Sequence, residues 1–250
     1  MADAALPYLA HLGDDASGVA AVATSGPLDA PVAGCPGWDV RELVVHLGSV
    51  HQWARTAAAT AAEPAGGDWF VAPPGVDEGA EGLAAWYGAA AQSLVDTLAG
   101  LDPGAPTWHM FPAEPVVGVW LRRQAQETSL HRWDAESAVG EPGPIDRVLA
   151  ADGIDEYFGM MLARRVARDG ITLPASSLHV HCTDTAGEWT VQDVDGALAC
   201  TREHRKGDAA LRGGAQDLLL ALWGRPVPDG VVDVVGDADA AAAWLAVGGV

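Results

Sequence analysis

The stretch Gly140-Glu141-Pro142-Gly143-Pro144 limits the possible folds of this chain more than any other, because such a cluster can continue neither a helix nor a strand. Before it, apolar residues recur at helical spacing. After it, beyond one more helical stretch, they alternate with the period of two that marks strands. The chain therefore reads as two domains, a helical one over residues 1–145 and a linking helix with a small α+β domain over residues 146–250.

Four helices account for the first domain. Leu9, Leu12, Ala16, Val19 and Ala23 give an amphipathic helix over 4–24, stopped by Ser25-Gly26-Pro27. Trp38 to Ala62 is a second, stronger helix with Asp39 in its first turn. Leu83, Trp86, Tyr87, Ala90, Leu94 and Leu98 make a third before Gly100, and Val116 to Val139 a fourth that ends at Gly140. Long connections join first to second and third to fourth, as in a four-helix bundle whose metal sites are built from inward-facing side chains. Residues 64–79 are a loop carrying Trp69-Phe70, and 101–115 is a second long connection. Aromatic residues in such loops tuck into a core or cover a pocket, so one of these loops is expected to border a cleft between the two halves.

In the second domain, Asp146 to Arg168 reads as the linking helix, with Ile154, Phe158, Met161, Leu162 and Val166 on one side. LHVHCTD and EWTVQDVDGALACTRE, separated by Thr185-Ala186-Gly187, read as antiparallel strands. Asp208 to Gly224 holds a helix after a short strand or turn, and Gly230 to Gly236 is a strand before a last helix at Asp237 to Leu245.

Lys and Arg number 14 against 34 Asp and Glu, a formal charge of −20, and no basic run interrupts it. Such a field repels nucleic acid and anionic membrane surfaces. No apolar run approaches the ~20 residues of a membrane helix, and the N-terminus has no basic region ahead of an apolar one, so a cytoplasmic protein is expected. Cys35, Cys182 and Cys200 are scattered and point to neither a disulfide framework nor a cysteine-rich zinc module. Cys35, before Pro36-Gly37, falls at the expected start of the second helix, where a helix dipole would favour a thiolate; otherwise it is a small buried hydrophobe.

The chemistry concentrates in two stretches, WDVRELVVHLGSVHQWA (38–54) and WLRRQAQETSLHRWDAESA (120–138). Glu127, His131 and Asp134 fall at i, i+4 and i+7 on one helix face, which Trp120 and Arg123 extend backwards. In the earlier stretch His46 lies on the stripe of Leu43, Val50 and Trp53 expected to face the core, while His51, about 140° round the helix, is expected to point elsewhere. An imidazole on such a stripe needs a partner, and the Glu-x3-His pair would complete a three-ligand set with an open fourth position, as in catalytic zinc sites. Spacing alone leaves open the alternatives of a solvated i,i+4 pair and a hydrogen-bonded core histidine. His109 is read as a loop residue outside the ligand set, and His179 and His181, alternating on one strand face, as surface histidines without a third ligand.

The segments CPGWDVRELVVHLGSVHQWA (35–54), RRQAQETSLHRWDAE (122–136) and GGAQDLLLALWGR (213–225) resemble, in order, those of the mycothiol-dependent maleylpyruvate isomerase family of DinB-like metalloenzymes. The resemblance implies a DinB-like four-helix bundle followed by a small sterol-carrier-protein-like α+β domain over the bundle's mouth. It implies a divalent metal, zinc above all, on His46, Glu127 and His131, and mycothiol as the thiol cosubstrate. It further suggests Arg225 as a cofactor-binding residue that reaches a carboxylate of substrate or thiol, and Arg123, which faces the same way as Glu127, is a second cofactor-binding candidate. Charge at a helix C-terminus for Arg225, and an ion pair with Glu127 for Arg123, are the simpler roles. Asp134 either orients a ligand imidazole or pairs with a neighbouring arginine, and Asp134 through that imidazole and Arg225 through the bound carboxylate are the candidates for a part in catalysis.

The resulting expectation is a thiol-dependent enzyme acting on a small-molecule electrophile, as an S-transferase or as a cis–trans isomerase of the maleylpyruvate type, either monomeric or homodimeric. A metal-activated water, in a hydrolase or lyase, and a non-enzymatic binding protein are the alternatives.

Overall fold

The computed structural model describes residues 7–66 and 79–248, which separate into two compact units, Met1–Gly143 and Pro144–Val250. Trp69 and Phe70 lie outside the described residues.

The first unit is built from α1 (Tyr8–Ser25), α2 (Val40–Thr60), α3 (Ala80–Ala99) and α4 (Val117–Val139). α1 packs on α3 and α4, and α2 on α3 and α4. α2 starts two residues later than its apolar pattern suggests because Asp39 caps it. The Asp39 carboxylate accepts from the Glu42 N–H and the Glu42 carboxylate from the Asp39 N–H, both at 2.9 Å, a reciprocal capping box. Cys35 is thus not at a helix start. It sits in a tight loop closed by the Pro31–Asp39 bridge, with the Val32 N–H donating to the Trp38 carbonyl. α4 lacks a side-chain cap, and its entry is set instead by backbone bonds from Val117 and Gly118 to the carbonyls of Ala105 and Pro103.

Two apolar clusters fill the bundle. Val19, Leu43, Leu47, Leu83 and Tyr87 form one, and Leu12, Ala54, Leu94, Leu98 and Trp120 the other. Trp108 and Phe111 of the 101–115 connection pack onto the second, where the Trp120 indole N–H donates to the Trp108 carbonyl at 3.0 Å. The core face of α2 is not the stripe expected. Leu43, Leu47, His51, Ala54 and Ala58 are buried, whereas Val50 and Trp53 are only partly so. Because α2 packs against two helices, its buried arc is wider than one stripe and is centred on His51, which leaves His46 at the arc's border.

The second unit opens with α5 (Arg147–Glu156), a π-helical turn (Tyr157–Leu162) and α6 (Ala163–Asp169). The wider π turn advances the helix phase, so Tyr157, Phe158, Met160 and Leu162 are buried and Met161 and Val166 are not, contrary to the uninterrupted helical face expected. β1 (Leu178–Cys182), β2 (Glu188–Val194), β3 (Ala197–Thr201), β4 (Ala209–Gly213) and β5 (Val232–Gly236) form one sheet in the order β3-β2-β1-β4-β5, with β1 and β4 parallel and the other pairs antiparallel. The stretch read as EWTVQDVDGALACTRE is two strands. Asp195 (φ 54°) and Gly196 (φ 81°) both have positive φ at the hairpin turn, which is why Asp-Gly stands there. Helices α7 (Ala215–Leu222) and α8 (Ala238–Gly248) pack on β1 and β4, where Leu178, Val180 and Leu211 are fully buried.

Among the described residues no helix is long and apolar enough to cross a membrane.

Candidate metal centre

α4 is a polar helix that the bundle nevertheless buries. Arg123, Gln124, Gln126, Thr128, Ser129, His131, Arg132 and Asp134 are all buried, so each polar group must find a partner inside the protein. Across from it, α2 presents His46. His46 Nε2 lies 3.4 Å from Glu127 Oε1, and His131 Nε2 lies 3.4 Å from the same oxygen. Glu127 Oε2 is taken by the Arg123 guanidinium, one turn back along α4. The expected i,i+4 pair therefore leaves the other carboxylate oxygen facing both imidazoles. Arg123 itself is 4% exposed, a position better suited to orienting Glu127 than to reaching a ligand.

Asp134 is 1% exposed, and its Oδ2 accepts from His131 Nδ1 at 3.0 Å. That bond fixes the ring with Nδ1 on Asp134 and turns Nε2 towards Glu127. The Cys35 thiol also donates to Asp134 Oδ2, at 3.7 Å. Burial opposes charge on His131, but its hydrogen bonds to Asp134, Cys35 and Glu127 outweigh that and hold its pKa well above the usual imidazole range. Burial likewise pushes Glu127 up, yet Arg123 and the two imidazoles hold its carboxyl well below the usual carboxylate range. The pocket thus stabilises positive charge, whether a proton or a cation carries it.

Trp38, to which no role was assigned from the sequence, borders the centre. Its ring lies 4.7 Å from that of His46 and 6.4 Å from that of His131, placed by the loop that also holds Cys35. The Pro-Gly-Trp element of the 35–54 segment was the available signal. His51 lies deeper, fully buried, with Nε2 2.9 Å from Thr128 Oγ1 and its ring 5.5 Å from that of Tyr87. Burial depresses its pKa to about 3, so it is a neutral core residue. His109 is held within its own loop, Nε2 on the Glu114 carbonyl at 2.9 Å and Nδ1 accepting from the Phe111 N–H.

Arg225 belongs to the second unit. It is 6% exposed, with Nη1 donating to the Trp223 carbonyl at 3.0 Å and the guanidinium carbon 5.9 Å from the centroid of the Trp223 ring. Its N–H caps α7 through the Leu220 carbonyl.

The His46, Glu127 and His131 donors fit a divalent cation of the zinc class. Glu127 Oε1 stands 3.4 Å from each imidazole Nε2, the spacing of neighbours around a tetrahedral centre with bonds of about 2.0–2.1 Å, all three donors lie within 4.8 Å of one another, and two imidazoles with one carboxylate leave a position open.

A four-helix bundle followed by a small sheet domain defines the class of protein. Residues 9–136 match the family model described as the mycothiol maleylpyruvate isomerase N-terminal domain, and residues 148–243 match the MDMPI C-terminal domain. The chain belongs to this family. Its fold is similar to two crystal structures bearing the name mycothiol-dependent maleylpyruvate isomerase. One is of a histidine-to-alanine mutant, at 12% identity and TM-score 0.62, and the other is at 14% and 0.61; each alignment covers 92% of this chain and 93% of the other. No match was found among curated proteins.

Proposed function

We propose that this protein is a metal- and thiol-dependent enzyme that acts on a small electrophile, with mycothiol as the thiol and a cis–trans isomerisation of the maleylpyruvate type as the reaction. The observation that supports it is the convergence of His46 Nε2 and His131 Nε2 on one oxygen of Glu127, each at 3.4 Å. Membership of the family and the names of the structural neighbours supply the thiol and the substrate class.

In this reading His46, Glu127 and His131 hold the cation. When bound there, a zinc-class ion lowers the pKa of a coordinated thiol and so supplies a thiolate at neutral pH. The chain's own residues do the rest. Asp134 keeps the His131 proton on Nδ1, Arg123 fixes the rotamer of Glu127, and Trp38 walls the two imidazoles on one side and excludes water. Thiolate addition to a conjugated double bond, rotation about the resulting single bond and elimination of the same thiolate give the isomer with no net consumption of thiol. Addition or displacement without elimination would make the enzyme an S-transferase. Arg225 is proposed to meet a carboxylate of substrate or thiol.

The test is zinc-loaded protein with mycothiol and either maleylpyruvate or a panel of model electrophiles, repeated without thiol. Thiol-dependent isomerisation with mycothiol recovered supports the isomerase, and stoichiometric loss of free thiol supports S-transfer. Equal turnover with and without thiol, or none with any electrophile while zinc is bound, overturns the reading in favour of a hydrolase or a binding protein.

A further inference from the structure

The outer face of the second unit's sheet carries a second group of ligand-type side chains. His179 and His181 alternate along β1 with Leu178, Val180 and Cys182, which face the core, so both imidazoles stand on the opposite face. Glu188, the first residue of β2, is directly opposite His181 in the antiparallel ladder and shares that face. The fourth member, His204, comes from the connection between β3 and β4. It is brought over the sheet where the Thr190 hydroxyl donates to the Glu203 carbonyl at 3.1 Å.

These groups meet closely. Glu188 Oε1 lies 2.5 Å from His181 Nδ1, while Glu188 Oε2 lies 3.0 Å from His204 Nδ1 and 4.0 Å from His179 Nε2. One donor atom from each of the four residues falls within 4.8 Å of the other three. His179 is 7% exposed and its Nε2 has no hydrogen-bond partner. His181 Nδ1, despite its short approach to Glu188, is not aligned to hydrogen-bond with it. The buried His179 Nε2, turned towards a carboxylate without a hydrogen bond, is what a missing cation would leave behind.

We propose that His179, His181, Glu188 and His204 form a second metal site, distinct from the bundle centre, that takes a zinc-class divalent cation. Three imidazoles and a carboxylate make a complete four-ligand shell, the arrangement of a structural rather than a catalytic zinc site. Its role is to clamp the β3–β4 connection to the sheet. Arg205, Lys206 and Gly207 of that connection line a cleft with His179 and His204, so the cation sets the shape of that cleft.

The experiment uses the full-length protein stripped with a chelator and equilibrated with Zn2+ alone. His131→Ala removes the proposed bundle site and is the background for the measurement. In it, about one zinc per chain remains, and adding His179→Ala or Glu188→Gln abolishes that zinc. His204→Ala weakens it by about tenfold or more, and because His204 is 79% exposed on its side chain this variant does not depend on refolding a core. Zinc also slows amide exchange across residues 202–208 in the His131→Ala protein. A His131→Ala protein that binds no zinc while folded by circular dichroism overturns the proposal, as does unchanged zinc content on adding His179→Ala. If instead the bundle holds no metal, wild type and His131→Ala bind equally, and the His179→Ala loss still decides the second site.

Discussion

His46 and Glu127, 81 residues apart in the chain and on different helices, place Nε2 and Oε1 3.4 Å from each other, in a bundle whose fourth helix buries most of its polar face.

Asp134 holds the His131 tautomer. Asp134→Ala is expected to lower zinc affinity at the bundle centre by about 10- to 100-fold, the usual cost of losing an orienting carboxylate. Competition against a chromophoric chelator, in a His179→Ala background, measures it. Unchanged affinity would show that Asp134 serves Cys35 or the fold alone.

Arg123 neutralises a carboxylate that is largely buried. Arg123→Ala should destabilise the metal-free protein by roughly 3 kcal/mol, since it leaves a buried charge without its partner. Zinc should recover much of that loss, because the cation replaces the guanidinium charge. Thermal melts with and without zinc give the answer, and an equal deficit in both would contradict it.

A Cβ at Gly48 of α2 would stand 2.5 Å from the Trp86 ring of α3. Gly48→Ala is therefore expected to cost about 1–3 kcal/mol by overpacking, despite its better helix propensity. Adding Trp86→Leu should return part of the loss, and urea denaturation of the single and double variants checks the coupling.

His51 is neutral in the folded state because burial depresses its pKa to about 3. The unfolded chain takes up this proton near pH 6.5. Between those values the unfolded state binds more protons, so this contribution to stability is complete above about pH 6.5 and falls as the pH drops towards 3. The slope is at most about 1.4 kcal/mol per pH unit for one proton. His51→Asn should flatten the stability profile over that window, and an unaltered slope would mean that other groups dominate.

Arg225 is proposed to meet a carboxylate. Arg225→Lys should lower kcat/KM by about tenfold or more for an electrophile that bears a carboxylate, and much less for an uncharged one, because a lysine cannot make the two-pronged contact. Equal losses for both substrates would assign the Arg225 side chain to holding the Trp223 carbonyl.

How much of this was legible in the chain depends on range. The four helices follow from local periodicity and turn chemistry, and the structure has them; the break at 140–144 and the common face of Glu127, His131 and Asp134 are likewise local readings of turn chemistry and spacing. The core side of α2 is not the one its apolar stripe indicates, because a helix packed against two neighbours buries an arc that its own stripe does not define; hence His51 inside and His46 at the border. The π turn at Tyr157–Leu162 leaves no mark in an apolar pattern, yet it rotates every residue after it.

The sequence alone determined which side chains could ligate, since residue type and i,i+4 spacing are local properties. Tertiary structure decided which of them meet. His179 and His181 read as a surface pair without a third ligand, but the strand register sets Glu188 opposite His181, and the bond from Thr190 to Glu203 returns His204 to the same face. Cys35 and Asp134, 99 residues apart, meet only because the loop before α2 folds over α4. No periodicity carries such information: the closing of a long chain onto one point is set by the free energy of the whole packed core, to which each local stretch contributes only a part.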